Sequence, residues 1–110
     1  MAAKYDIIIE QGATFTFALT VTGVNLTGYT VRMQGRTAHA ATTTVFSLTG
    51  GSGLTVTPGA NSTIAVTIAA STTAGFTAPM HGVYNLEYEL SGVVTRILEG
   101  SFFITPEVTR

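Results

Sequence analysis

The sequence predicts an all-β domain: a single antiparallel β-sandwich, immunoglobulin-like, with a partly open β-barrel as the alternative. Three observations carry this. Apolar and polar residues alternate with a period of two in run after run. Threonine, whose branched Cβ favours extended backbone, occurs 21 times in 110 residues. Turn residues separate the runs about every ten positions, the spacing of an all-β sandwich or barrel. Periodicity does not choose between the two architectures.

Taken in order, residues 5–10 form a short apolar run in which Ile7, Ile8 and Ile9 offer side chains to both faces. A strand apolar on both faces must be covered on both, by its own sheet or by another chain. Residues 14–22 alternate cleanly, with Phe15, Phe17, Leu19 and Val21 on one face and threonines or Ala18 on the other. Tyr29, Val31 and Met33 alternate with Thr30, Arg32 and Gln34, and residues 37–44 form a polar loop. Weaker strand patterns cover 42–49 and 54–57. Ile64, Val66 and Ile68 then alternate with threonine and alanine, and Tyr84, Leu86, Tyr88 and Leu90 with Val83, Asn85, Glu87 and Glu89.

In residues 93–105, Val94, Leu98, Phe102 and Ile104 share one parity with Gly100 in the middle while Val93, Ile97 and Phe103 hold the other, which predicts two strands or one bent strand with a bulge near Gly100. Ser91-Gly92 joins two strong patterns as a hairpin turn. Helix is confined to 71–76, with Ser71 as the cap, Phe76 turned into the core and Pro79 barring extension. No linker, charge block or repeat divides the chain, so residues 1–110 read as one domain. A chain of this length buries about two thirds of its unfolded surface, enough for a modest core.

Composition excludes several kinds of chemistry. The chain has no cysteine, hence no disulfide, thiolate zinc site or thiol nucleophile. Five basic and six acidic residues leave a net charge of −1, which argues against a nucleic-acid partner. No run reaches the length of a signal peptide's apolar core or of a membrane-spanning helix, and a spanning barrel would need more and longer strands. Synthesis in a cytosol is expected, and no membrane contact.

No catalytic constellation stands out. His39 in the loop and His81 in Pro79-Met80-His81-Gly82 have no further ligand at metal-binding spacing, and read as a loop and a turn histidine. Glu87 and Glu89 share a strand face, where Arg96, Glu99 and Lys4 make a solvated cross-strand charge lattice the simpler reading than a catalytic pair. Gly50-Gly51-Ser52-Gly53 lacks the Lys-Ser/Thr of a phosphate loop. The expectation is no enzyme, no metal, no cofactor and no small-molecule substrate.

Several phrases along the chain carry a resemblance. They are Tyr5-Asp6-Ile7-Ile8-Ile9-Glu10-Gln11-Gly12-Ala13-Thr14-Phe15, Asn25-Leu26-Thr27-Gly28-Tyr29-Thr30-Val31-Arg32-Met33-Gln34, Gly82-Val83-Tyr84-Asn85-Leu86-Glu87, Leu98-Glu99-Gly100, and the closing Ile104-Thr105-Pro106-Glu107-Val108-Thr109-Arg110. Together they resemble small virion proteins of tailed bacteriophages, including β-sandwich modules of the baseplate upper protein N-terminal type. The resemblance implies a structural role in a particle assembled in the host cytoplasm, in symmetric copies, with other virion proteins and copies of itself as partners. Head decoration and tail, neck, baseplate or fibre attachment both stay open. A baseplate upper protein continues into further domains whereas this sequence ends at Arg110, so a long fibre is not expected.

The alternative is a carbohydrate- or receptor-recognising module at a fibre base, a role disfavoured by the absence of tryptophan. The candidate contact residues are Tyr5, Ile7 and Ile9 on the first strand, Arg32 and Arg36 on one later strand face, and Val108 and Arg110 in the closing phrase. Tyr29 and Tyr84 are assigned to the core, with their hydroxyls at its edge.

Overall fold

The computed structural model describes residues 3–108. Nine strands and one helical turn follow in order: β1 (Ala3–Lys4), β2 (Ile7–Glu10), β3 (Phe15–Val21), β4 (Thr30–Arg36), β5 (Phe46–Gly50), β6 (Gly53–Thr57), β7 (Ser62–Ile68), α1 (Ala70–Thr73), β8 (Met80–Leu90) and β9 (Val93–Thr105). They form one continuous sheet in the order β1-β9-β8-β4-β5-β6-β7-β3, with β2 also paired to β9. The sheet curls on itself, so that alternate residues from both halves meet in one core.

Met33, Ile64, Val66, Leu86, Ile9 and Ile104 are fully enclosed there, and Phe102, Leu54 and Tyr84 nearly so. The all-β prediction holds. The two halves stay hydrogen-bonded through β5 and β6, which brings the architecture nearer to the partly open barrel than to a sandwich of two separate sheets.

Three pairings are parallel rather than antiparallel: β1 and β2 each with β9, and β5 with β6. The N-terminal run therefore lies beside the C-terminal strand, with Ile7 opposite Phe102 and Ile9 opposite Ile104. A bulge is present, but at a different place from the expected one. Leu86 faces Leu98 while Glu87 faces Arg96, so Ile97 is the extra residue on β9. Gly100 serves another purpose: a Cβ there would collide with the Tyr5 carbonyl, so glycine lets the N-terminal segment cross β9 closely.

The Ser91-Gly92 hairpin is present, both residues having positive φ (51° and 83°) as a tight primed turn requires. Ser71 does not cap α1. The N-cap position is Ala69, with no side-chain cap hydrogen bond. The polar contribution of this turn comes from the buried Thr73, whose Oγ1 donates to Ala13 O at 2.8 Å and accepts from Gly12 N at 3.1 Å. The helical turn thereby holds the β2–β3 connection against the core, where Phe76 packs beside Phe46.

Ser62 holds a second connection. Its buried Oγ accepts from Leu26 N at 2.9 Å and donates to Val24 O at 2.8 Å, drawing the β3–β4 loop over the end of the core.

Candidate interaction surface

On β4, Thr30, Arg32, Gln34 and Arg36 point outward, and the neighbouring strand β8 sets Glu87 opposite Arg32. Arg32 is committed within its own sheet. Its Nε donates to Glu87 Oε1 at 2.7 Å and its Nη1 to Glu89 Oε1 at 2.8 Å, with all three side chains about a fifth to a third exposed. The hydrogen bonds to Glu89 and then Glu87 raise the guanidinium pKa above its usual value. Arg36 donates to Ala41 O at 3.1 Å and to Gln34 Oε1 at 3.2 Å, which fixes the 37–44 loop against the strand. Arg96 pairs with Glu99 at 3.2 Å. Glu87 and Glu89 are thus paired across strands, but by Arg32 of β4 rather than by the expected Arg96 and Lys4.

The N-terminal strand divides its three isoleucines. Ile7 and Ile9 are buried in the protein's own core, so these two are packing residues rather than contact residues. Ile8 faces outward and is 63% exposed. It continues a cross-strand row with Phe103 and His81, whose rings stack at 4.3 Å. His81 therefore sits on β8 rather than in a turn, and Phe103 departs from the inward parity of the other phenylalanines.

Tyr5 is half exposed, and its carbonyl accepts the hydrogen bond of the buried Tyr84 hydroxyl. Burial, reinforced by the nearby Asp6 charge, pushes the Tyr84 phenol well above its ordinary pKa. Val108 is almost fully exposed beyond β9, and Arg110 lies outside the described residues. Tyr29 is half-buried, edge-on to Tyr88 at 5.2 Å.

A polar groove of about 300 Å³ crosses the outer face of β8 and β9, lined among others by Lys4, Asp6, His39, Asn85, Arg96 and Glu99. Among the described residues no cluster of three or more His, Asp or Glu is arranged to hold a metal ion.

The feature with the widest reach is the division of charge. No Asp, Glu, Lys or Arg occurs between Gln11 and Val31, or between Thr37 and Leu86. In the fold these two stretches supply all of the contiguous half-sheet β5-β6-β7-β3 and α1, and also the uncharged first part of β8. All charged side chains of the described residues lie instead on β1, β2, β4, β8 and β9, at Asp6 between β1 and β2, or at Glu107 just after β9.

The outer face of the uncharged half is an in-register array of small β-branched and methyl side chains. Thr16 faces Thr67, Ala18 faces Ala65 and Thr20 faces Thr63, while Thr55 and Thr57 continue the rows. In the sequence, low charge is a property of the chain as a whole. The two charge-free stretches were visible in the sequence, but their adjacency needed the sheet order. A second exposed apolar feature, also not anticipated, is the β8–β9 hairpin tip with Leu90, Val93 and Val94.

No protein family matches the chain, and no curated protein matches it.

Proposed function

We propose that this protein is a non-enzymatic structural component of a tailed-phage particle, held in place by packing against neighbouring virion proteins and copies of itself. The observation that carries the reading is the charge-free half-sheet β5-β6-β7-β3. Burying a surface of Thr, Ser and Ala against a neighbour desolvates no ionised group, whereas burying a typical charged surface costs several kcal/mol per unpaired ion. The phrases resembling small phage virion proteins, spread from Tyr5 to the closing Glu107-Val108, supply the class of particle.

Mass spectrometry of purified particles from cells producing the protein tests this. A fixed stoichiometry relative to the major capsid protein is expected, and its value separates head decoration from a tail, neck or baseplate position. Absence from the particles, or trace amounts only, overturns the reading.

A further inference from the structure

We propose that the apolar groove along the seam of the curled sheet, bounded by Ala3, Lys4, Tyr5, Phe17, Leu19 and Leu98, is a binding site for a free medium-chain fatty acid. The alkyl chain lies against Phe17 and Leu19, and the carboxylate meets Lys4. This goes beyond the reading above and does not depend on it.

The groove exists because the sheet stops short of closing. β3, the end strand of the uncharged half, lies beside the N-terminal segment, yet among the described residues no backbone hydrogen bond joins the two. They touch through side chains, with the Tyr5 ring 6.0 Å from that of Phe17. This contact divides the seam into two depressions. One, of about 270 Å³, runs between Asp6, Ile7 and Ile8 and the facing Phe15 and Thr16. The other, of about 360 Å³, runs between Ala3, Lys4 and Leu98 and the facing Ala18 and Leu19. Both walls are held in place. The Tyr5 amide donates to Glu99 O at 2.9 Å and its carbonyl accepts from the Tyr84 hydroxyl, while β3 is paired with β7 from Phe15 to Val21. A ligand therefore meets a preformed cleft and little ordering accompanies its binding.

The lining selects the ligand. Phe17 and Leu19 are only half-buried and Tyr5 is half exposed, so an apolar chain laid between them removes apolar surface from water on both sides. A cleft that is mostly apolar, with a polar group to fix orientation, is the usual form of a small-molecule site. Lys4 supplies that group, and among the described residues no other charged residue lines this groove. The carboxylates near Lys4 are engaged elsewhere: Glu99 accepts from Arg96 at 3.2 Å, and Asp6 from the Ser101 amide and hydroxyl. One compact ammonium suits a monoanion, whereas a phosphate is better met by a bidentate guanidinium or several cations. The other depression carries Asp6 and repels a carboxylate. Length follows from volume. At the roughly 30 Å³ that a water-sized group occupies in a liquid, a groove of about 360 Å³ takes about a dozen non-hydrogen atoms, the size of decanoate.

The test titrates the full chain with decanoate, below the concentration at which it forms micelles, by isothermal titration calorimetry and amide NMR shifts. Saturable one-to-one binding is expected, with the largest shifts at residues 3–5, 17–19 and 98. Decanoate is expected to bind roughly tenfold or more tightly than hexanoate, because the longer chain takes more methylenes out of water. A margin of roughly tenfold or more is also expected over decylammonium, whose charge Lys4 repels. Lys4→Gln, at an exposed position, is expected to weaken decanoate binding about threefold or more, and Lys4→Arg to retain it. Arg96→Gln, which changes the lining of the polar groove instead, is expected to leave it unchanged.

Absence of saturable binding, shifts centred outside the seam, equal affinity for decylammonium, or a Lys4→Gln chain that binds as the wild type does would each overturn the proposal. The comparisons of chain length and head group use the wild-type chain alone, so they stand should a variant fold poorly. A chain that binds decanoate but is absent from particles overturns the virion reading only, and a particle protein that does not bind decanoate overturns this proposal only.

Discussion

Replacing Ser62 with alanine is the sharpest probe of how the chain closes over its core. The hydroxyl is fully buried, accepts from Leu26 N at 2.9 Å and donates to Val24 O at 2.8 Å. The loss is asymmetric. Val24 O also accepts from Ser62 N at 3.2 Å, so it stays satisfied in the variant, whereas Leu26 N–H loses the partner that holds it. Leu26 is itself 2% exposed, which leaves that amide little access to water. A buried donor left without a partner costs about 1–3 kcal/mol, and the small void left by the oxygen adds to it. A destabilisation of about 2–3 kcal/mol is expected from urea titrations followed by circular dichroism, with a Tm roughly 8–12 °C lower. Ser47→Ala is the control, because Ser47 is exposed and accepts one long bond, from Gln34 Nε2 at 3.3 Å. Its effect is expected within about 0.5 kcal/mol. Ser62→Ala equal to this control would refute the assignment of the loop's anchorage to one hydroxyl.

Three further outcomes are expected. Gly100→Ala forces a Cβ into the Tyr5 carbonyl, which is backbone and has little room to give, so a loss of about 2 kcal/mol or more is expected in the same titration; Gly50→Ala, where a Cβ meets nothing, is expected to be near neutral. Tyr84→Phe removes the hydrogen bond to Tyr5 O and is expected to cost about 1 kcal/mol near neutral pH. Because the folded state raises the Tyr84 pKa above its unfolded value of 10.0, wild-type stability is complete below about pH 10 and falls as pH rises beyond it. Stability measured from pH 8 upward to the alkaline limit is therefore expected to decline less steeply in Tyr84→Phe. Arg32→Met removes a partly exposed guanidinium that bridges two carboxylates and leaves these side by side; a loss of about 1 kcal/mol is expected, shrinking in concentrated salt as screening weakens the wild-type ion pairs.

The strongest strands were legible because period-two alternation is written residue by residue. Phe15 to Val21, Ile64 to Ile68 and Tyr84 to Leu90 each fall within observed strands. What alternation does not encode is which strand lies beside which. A parallel partnership between the first and last strands, Ile7 against Phe102, joins residues far apart in sequence with nothing local to announce it. The same limit explains Ile7 and Ile9. Three consecutive isoleucines necessarily point to alternating faces, and their identity alone does not say which face is the core. The bulge was legible because apolar residues of both parities occupy 93–105, but that mixture does not say which residue is extra, and Gly100 drew the assignment that belongs to Ile97. Ser71 matched the residue preference of a cap, whereas Thr73 won the buried position because its hydroxyl reaches Gly12 and Ala13 across the fold.

The division of charge and the strand order belong to one argument. A curled sheet that does not close leaves two edges, and each exposes backbone donors and acceptors to any chain that can offer a strand. At the β1–β2 end, Lys4, Asp6 and Glu10 limit that risk, and Asp6 is further engaged by Ser101, through its backbone amide at 3.0 Å and its hydroxyl at 3.2 Å. Removing charge from β3 alone would have left a bare edge on an otherwise solvated molecule. Here the charge is missing from β3, β7, β6 and β5 together, so the edge and the face behind it share one character. The protein's own N-terminal segment lies along this edge, with the Tyr5 ring 6.0 Å from that of Phe17. The threonines of this half offer both hydroxyls to water and methyl groups at regular strand spacing on one face.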